Sequence, residues 1–117
     1  HLEEIAVNLI VNAMQALDSQ AGGGKEIVCR TFAEQELVVL EVADNGPGVH
    51  EAIRDKIFEP FASAGKGGEA MGLGLFIVQT IVGSHHGRVG FYRGPGGETV
   101  FRVEFPKGAG YEHFAGG

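Results

Sequence analysis

A carboxylate at the end of an apolar segment, followed by a glycine-rich turn, is the most informative feature of this sequence. Residues 37–43 are rich in β-branched side chains and are followed by DNGPGV at 44–49, which predicts a strand that ends in a tight turn. Gly46 and Gly48 would let the backbone come close to a ligand, and Asp44 could accept a hydrogen bond from an amino group on a flat heterocycle. Taken alone, the hexapeptide also fits an ordinary turn between a strand and a helix.

Two asparagines four residues apart lie on the first predicted helix, which runs from Leu2 to about Ser19. Apolar residues occupy two sides of this helix: Leu2, Ile5, Leu9, Ala13 and Ala16 on one, and Val7, Ile10, Val11 and Met14 on the other. We therefore expect the helix to be buried over much of its circumference. Asn8 and Asn12 stack between these sides, with Gln15 close by. Their amides need partners, which could be a neighbouring helix, a backbone carbonyl or a hard cation such as Mg²⁺.

A glycine-rich loop, predicted from 60 to 71, leads directly into a second long helix from Gly72 to about His86. Backbone N–H groups at a helix N-terminus bind anions, and Lys66 could add a positive charge. Neither common phosphate motif fits: Gly67 follows Lys66 where a Walker A loop has Ser or Thr, and Ile77 replaces the third glycine of a dinucleotide fingerprint. The segment taken alone is compatible with a flexible loop or with a phosphate site.

The remaining elements are short. We predict a hairpin of strands Ile27–Phe32 and Leu37–Ala43 joined by Ala33–Glu36, helical structure over Glu51–Phe58, Gly87 as the residue that ends the second helix, and a second hairpin of Arg88–Arg93 and Thr99–Phe105. Helices and hairpins in this order predict an α/β (α+β) two-layer sandwich, with a mostly antiparallel mixed sheet packed against helices. We expect a domain over residues 1–106 and a loosely ordered tail over 107–117.

Composition limits the class of protein. The net charge of −6 over 117 residues argues against a nucleic-acid surface, and it implies that any polyphosphate is held by a metal ion, backbone N–H groups and a few cations. Cys29 is the only cysteine and no apolar stretch could span a bilayer. We expect a monomeric, cytoplasmic piece of a larger protein, without direct membrane contact.

Four segments, in this order, resemble the motifs of the GHKL (Bergerat-fold) superfamily, and most closely the catalytic ATP-binding domain of two-component sensor histidine kinases. Residues 8–13 resemble the N box, 44–48 the first glycine box, 57–61 the F box and 72–75 the second glycine box. The chain departs from the family at Ala70 and Glu98, which replace usual glycines. The family generally has a strand before the N-box helix, so the resemblance implies that this domain lacks one edge strand.

The resemblance also implies residue roles. Asn12 and Asn8 would be the catalytic residues that face the Mg²⁺ bridging the ATP phosphates, and Asp44 would accept the adenine amino hydrogen. The implied nucleotide-binding residues are Asn12, Asp44, Gly46, Gly48, Lys66, Gly72, Leu73, Gly74 and Thr99. In this set Gly46 and Gly48 pack against the base, Thr99 supports the adenine contact, and backbone around Gly72 and Gly74 holds phosphates together with Lys66. Phe58 and Phe61 would anchor the lid.

Asn8 distinguishes branches of the superfamily. Chaperone, gyrase and mismatch-repair ATPases resemble one another in having a Glu at this position, which activates water, and Asn8 has no useful basicity. The resemblance therefore implies a kinase that transfers the γ-phosphoryl group to a histidine on a dimerisation domain and then to a response regulator, with a homodimeric parent. We expect no self-phosphorylation by this chain alone. The alternatives are an ATP-gated conformational ATPase module, an anti-sigma-type serine kinase and a degenerate binding domain.

Overall fold

The computed structural model describes residues 2–18, 23–49, 51–59 and 73–107, and every structural statement below concerns these residues. The elements in chain order are α1 (Leu2–Asp18), β1 (Ile27–Glu34), β2 (Leu37–Asp44), a 3₁₀ helix (Glu51–Lys56), α2 (Gly74–Ser84), β3 (Arg88–Arg93) and β4 (Thr99–Pro106). No helix in these ranges is long and apolar enough to cross a membrane.

The four strands form one sheet in the order β1-β2-β4-β3, and every pairing between them is antiparallel. The helices cover one face of this sheet and share a core with it. Its fully buried members include Ile5, Leu9, Val42, Val78, Val82, Val103 and Phe105. Alternate residues of β2 and β4 therefore point into the core, as the period of a strand requires. The two-layer α/β sandwich predicted from the sequence is confirmed.

The first hairpin is tighter than expected. β1 continues to Glu34, so the connection to β2 is the two-residue turn at Gln35 and Glu36. Gln35 has φ of 54°, the left-handed conformation that two-residue hairpin turns use. The result is a continuous register from Glu34–Leu37 to Ile27–Asp44, which brings Asp44 to the end of the sheet.

The prediction for the end of α2 is wrong by one residue. His86, with φ of 63°, is the left-handed residue, and its N–H donates to the carbonyl of Gly83 while that of Gly87 donates to Val82, the Schellman pattern. Gly87 is needed for a different reason. A Cβ at Gly87 would lie 2.4 Å from the backbone oxygen of Glu104, so the glycine allows the chain to pass close against β4.

The prediction that α1 is buried around much of its circumference is also wrong. The helix buries Ile5, Leu9, Asn12, Ala13 and Leu17, but Val7, Val11 and Met14 are 59%, 42% and 52% exposed. These three residues lie on the side away from the sheet and α2. Within the described part of the chain nothing covers this side, so apolar character alone did not determine burial.

Candidate functional site

Asp44 is a buried carboxylate at the end of β2. It is 3% exposed and lies opposite Ile27 of β1 and Thr99 of β4. Its Oδ1 accepts a hydrogen bond from the Gly46 N–H at 2.9 Å, and within the described ranges no hydrogen bond reaches Oδ2. Burial raises the pKa of Asp44, and the Gly46 bond and the charge of Arg93 only partly oppose this effect. One carboxylate oxygen is therefore left for a ligand.

The two glycines of the turn are enclosed by the protein itself. A Cβ at Gly46 would lie 2.9 Å from Asp44 Oδ1 and 3.3 Å from Leu17 Cδ2. Gly48 has φ of +91°, and a Cβ there would lie 2.3 Å from Arg93 Nη2. The positive φ of Gly48 disfavours any side chain there, and a side chain at Gly46 would require Asp44 and Leu17 to shift. The glycines therefore make room for Asp44, α1 and Arg93, in addition to any role towards a ligand.

Asn45 fastens the same turn to the segment before β1. Its Nδ2 donates to the carbonyl of Gly24 at 2.6 Å, and its Oδ1 accepts from the Glu26 N–H at 2.8 Å. The backbone N–H of Asn45 also donates to the carbonyl of Glu26. These bonds explain why an asparagine follows Asp44: both ends of its amide hold the turn against the segment before β1.

Three buried acceptor atoms have no hydrogen-bond partner within the described residues: Asn12 Oδ1, Gln15 Oε1 and Thr99 Oγ1. Buried polar groups are nearly always hydrogen-bonded, and an unpaired one costs about 1–3 kcal/mol. Asn12 and Thr99 were predicted site residues, whereas Gln15 was not. Its position three residues after Asn12 on α1 was the signal that could have identified it.

Asn8 lies next to the start of α2. Its Nδ2 donates to the carbonyl of Glu4 at 2.9 Å, and its Oδ1 lies 3.4 Å from where a Cβ on Gly74 would be. Leu73 precedes α2, and its side chain makes no capping hydrogen bond to the helix. Its carbonyl accepts the Ile77 N–H at 2.8 Å. The N-terminal end of α2 is therefore brought to Asn8.

Helix α1 runs between two groups of predicted residues, those of the turn after Asp44 and those at the start of α2. Its Leu17 borders Gly46 beside Asp44, while its Asn8 borders Gly74, and Asn12 lies one turn of helix from Asn8. Gly48 and Thr99 also line a cavity of about 80 Å³ with Arg93. Lys66, Gly72 and Phe61 lie outside the described residues, so their predicted roles stay predictions.

Phe58 packs against two aromatic rings of the sheet. Its centroid is 6.3 Å from that of Phe101 in an edge-to-face arrangement and 6.5 Å from that of Phe91. Such pairs stabilise a core beyond their buried area. Phe58 is thus a core residue at the end of the described segment 51–59, from which the glycine-rich loop begins.

Amide and hydroxyl oxygens dominate the chemistry of this region. The described part of the chain holds no cluster of three or more His, Cys, Asp or Glu side chains, which are the usual ligands of a protein-held transition metal. Asn12 Oδ1 and Gln15 Oε1 are hard oxygen donors of the type that Mg²⁺ accepts when phosphates and waters supply its other ligands. The donor set therefore fits a magnesium ion carried by a polyphosphate.

Comparison with known proteins assigns the family. Residues 1–109 match the sequence family of histidine kinase-, DNA gyrase B- and HSP90-like ATPases. The chain belongs to this family. The two-layer α/β sandwich agrees with the resemblance found in the sequence. The match includes all four motif segments.

The similar curated proteins are sensor kinases. The chain is 37% identical over 105 residues to the C4-dicarboxylate transport sensor protein DctS of Rhodobacter capsulatus, covering 90% of this chain and 16% of that protein. It is 34% identical over 115 residues to the sensory histidine kinase/phosphatase NtrB of Escherichia coli O157:H7, covering 90% of this chain and 31% of that protein. The chain therefore spans less than a third of either relative.

Solved structures with the same fold are also histidine kinases. The catalytic domain of histidine kinase ThkA, in a nucleotide-free form, superposes with a TM-score of 0.70 at 29% identity, covering 91% of this chain and 66% of that chain. Full-length ShkA in complex with AMPPNP superposes with a TM-score of 0.67 at 31% identity, covering 90% of this chain and 21% of that chain. The fold is that of a sensor-kinase ATP-binding module.

Proposed function

We propose that this chain is the catalytic domain of a two-component sensor histidine kinase. It binds Mg-ATP and donates the γ-phosphoryl group to a histidine on a separate dimerisation and phosphoacceptor domain, from which a response regulator receives it. The parent protein is a homodimer, and the domain works in the cytoplasm. One observation carries the proposal: in a chain of this family, buried Asn12 and Thr99 present oxygen atoms without partners in the described protein, and the buried carboxylate of Asp44 accepts a single hydrogen bond there.

Asp44 is proposed to recognise adenine. One of its oxygens is held by Gly46, which fixes the orientation of the carboxylate and leaves the other oxygen to accept the adenine amino hydrogen. Thr99 is its cross-strand neighbour, and its buried hydroxyl can donate or accept beside the same base edge. A rigid pair of this kind loses little freedom when the base binds.

Asn12 is proposed to face the metal, with Asn8 and Gln15 on the same strip of α1. Magnesium would neutralise charge on the phosphates and hold them in line for transfer. Asn12 would supply an amide oxygen to the ion, and this explains why a buried helix position carries an amide with an unpaired oxygen. Asn8 already uses its Nδ2 on Glu4, so its oxygen is fixed beside the start of α2.

Phosphates are proposed to bind at the start of α2. Its first N–H groups receive no side-chain cap from Leu73, and a helix N-terminus favours anions. Gly74 has no side chain to come between these groups and Asn8. Gly72 and Lys66 would complete the contacts, as the family resemblance implies.

Asn8 is the reason for proposing a kinase and not an ATPase. An amide cannot act as a general base for water, so ATP hydrolysis should be slow and the γ-phosphoryl group should await another acceptor. We expect Asn8→Glu to raise hydrolysis, measured by phosphate release from Mg-ATP. An unchanged rate in a variant that still binds ATP would contradict this explanation of the branch.

The decisive experiment is calorimetric titration of the chain with a non-hydrolysable ATP analogue, with and without Mg²⁺. We expect Asp44→Ala to abolish binding and Asn12→Ala to lose mainly the dependence on Mg²⁺. Val7→Ser is the matched control, because it changes an exposed position on the same helix as Asn12. No binding by a folded wild-type chain would refute the nucleotide site.

A second experiment tests phosphoryl transfer. Incubation with γ-labelled ATP should leave the chain itself unlabelled, and it should label a histidine when the phosphoacceptor domain of the parent kinase is added. Label on this chain alone would contradict the proposal. Binding without transfer to that domain would support a degenerate or conformational module instead.

A further inference from the structure

Arg93, at the end of β3, joins two turns that are distant in sequence. Its Nη2 donates to the carbonyl of Pro47 at 3.2 Å, in the turn after β2. Its Nη1 donates to the carbonyl of Gly97, in the turn between β3 and β4. A guanidinium is planar and holds several donors in a fixed arrangement. One side chain therefore sets the spacing of these two turns.

The same guanidinium lies directly against the backbone of Gly48. Gly48 adopts φ of +91°, and any Cβ there would lie 2.3 Å from Arg93 Nη2. The backbone of the turn is thus pressed against Arg93. In the sheet register Arg93 is opposite Thr99, and Thr99 is opposite Asp44, so the three residues form one row across β3, β4 and β2.

Arg93 also acts on Asp44 through its charge. Burial raises the pKa of Asp44, and the Gly46 N–H and the positive charge of Arg93 lower it. The other described neighbours do not titrate: α1 contributes Leu17 beside Gly46, β1 places Ile27 opposite Asp44, and β4 places Thr99 there. Arg93 is therefore the cation that favours the ionised carboxylate.

We propose that Arg93 is a positioning residue for nucleotide binding. It holds the turn 44–49 against the hairpin turn 94–97, so that the Asp44 carboxylate and the Gly48 backbone are already in place when the base arrives. The proposal rests on the nucleotide-binding function proposed above. It adds a residue that none of the motif segments contains, and one that reaches the site from the far strand.

The test compares Arg93→Gln and Arg93→Lys with Arg88→Gln. Arg88 is the matched control, because it lies on the same strand and its side chain is 83% exposed with a single ion pair to Glu104. We expect Arg93→Gln to weaken binding of the ATP analogue about tenfold at neutral pH, the effect of losing a charged hydrogen-bond donor. Arg93→Lys keeps the charge without the fixed pair of donors and should recover part of the affinity.

The pH profile separates positioning from general destabilisation. Without the cation the pKa of Asp44 rises, so binding of the analogue should fail at a higher pH on the acid side in Arg93→Gln than in wild type, while Arg93→Lys should follow wild type. If Arg93 only stabilised the fold, Arg93→Gln would lower the thermal midpoint but would not change the acid limb, which is the pH range over which binding is lost on acidification. Equal affinity and an equal acid limb in Arg93→Gln would overturn the proposal, and so would an equal loss in Arg88→Gln.

Amide hydrogen exchange tests, without any ligand, whether Arg93 holds the turn 44–49 in place. We expect exchange at Gly46 and Gly48 to accelerate in Arg93→Gln, while the amides of the β1–β2 hairpin keep their wild-type rates. Unchanged exchange at Gly46 overturns the proposed positioning. If the wild-type chain does not bind the analogue, the proposed nucleotide site is refuted. That result is distinct from failure of the Arg93 proposal, because the exchange rates still report whether Arg93 holds the turn 44–49.

Discussion

Two buried carboxylates on β2, three residues apart, are treated in opposite ways by this fold. Glu41 is 2% exposed and Asp44 is 3% exposed. Glu41 accepts hydrogen bonds from Arg30 at 2.6 Å, Arg102 at 3.0 Å and Tyr92 at 3.1 Å, whereas Asp44 accepts one from the Gly46 N–H. Burial raises the pKa of both groups, but the three donors outweigh burial for Glu41 and its pKa is lowered, while that of Asp44 is raised.

The difference separates a carboxylate that is paired within the protein from the one that we propose binds adenine. Glu41 lies on the face of the sheet opposite the described helices, where Arg102 also bonds to Glu34 and Glu104. Within the described residues this network pairs the carboxylate of Glu41 with the donors of Arg30, Arg102 and Tyr92. Asp44 accepts only the Gly46 bond within the described residues, and the buried oxygens of Asn12 and Thr99, which we propose belong to the same site, have no partner there. A polar group that folding leaves unsatisfied is the one available to a ligand.

The largest expected effect comes from Asp44→Asn. The amide oxygen can keep the Gly46 bond, but the other position becomes a donor that opposes the adenine amino group. We expect affinity for the ATP analogue to fall about a hundredfold. The free energy of unfolding at neutral pH should stay constant or rise, because a buried charge is removed. Calorimetry and denaturant unfolding measure the two quantities, and a large loss of stability would show that the Asp44 carboxylate stabilises the fold as Glu41 does.

Glu41→Gln should produce the opposite result. Its amide would present a donor to the arginines, so we expect a loss of about 2 kcal/mol in the free energy of unfolding. Affinity for the analogue should be unchanged, because Glu41 is on the other face of the sheet from α1. Glu36→Gln in the β1–β2 turn serves as control for loss of a carboxylate at the surface. Weakened binding in Glu41→Gln would show that the two faces are coupled.

The pH dependence of stability should distinguish the same two residues. Glu41 has a lowered pKa, so its contribution is complete above its unfolded pKa and is lost as the pH falls through the folded value. Asp44 has a raised pKa, so its effect is most favourable at acid pH and declines as the pH rises through the folded value. Relative to wild type, Glu41→Gln should flatten the acid loss, measured by urea unfolding between pH 3 and 6. Asp44→Asn should gain stability as the pH rises over the same interval.

The smallest effect is expected for Thr99→Val, which replaces the unpaired hydroxyl by a methyl group of similar shape. Stability should change by less than about 1 kcal/mol, and affinity for the analogue should fall about threefold to tenfold. Thr99→Ser, which keeps the hydroxyl, is the matched control for binding. A Thr99→Val variant with wild-type affinity would place Thr99 outside the site.

The sequence was sufficient where local patterns decide the structure. The strand at 37–44 and the turn after it follow from β-branched residues and glycines, and Asn12 was identifiable as an amide on an apolar helix. Patterns did not show what covers a residue: Val7, Val11 and Met14 are apolar yet exposed. The spacing of residues in the sequence did not predict the contact between Arg93 and Pro47, because that contact depends on how the β3–β4 hairpin lies against β2. The pattern also did not show that His86 is the left-handed residue, or that Gly87 is needed because β4 passes close to it.

The sheet order has a consequence for how the protein folds. The β1–β2 and β3–β4 hairpins close short turns, but the central β2–β4 pairing joins residues that are 55 (Asp44 and Thr99) to 69 (Leu37 and Pro106) positions apart in the sequence. Contacts of such long range form late and slowly. Asp44 and Thr99 are paired across β2 and β4, so a chain in which only the two hairpins have formed would lack the proposed nucleotide site. A bound nucleotide should then leave the folding rate unaffected and act by slowing unfolding.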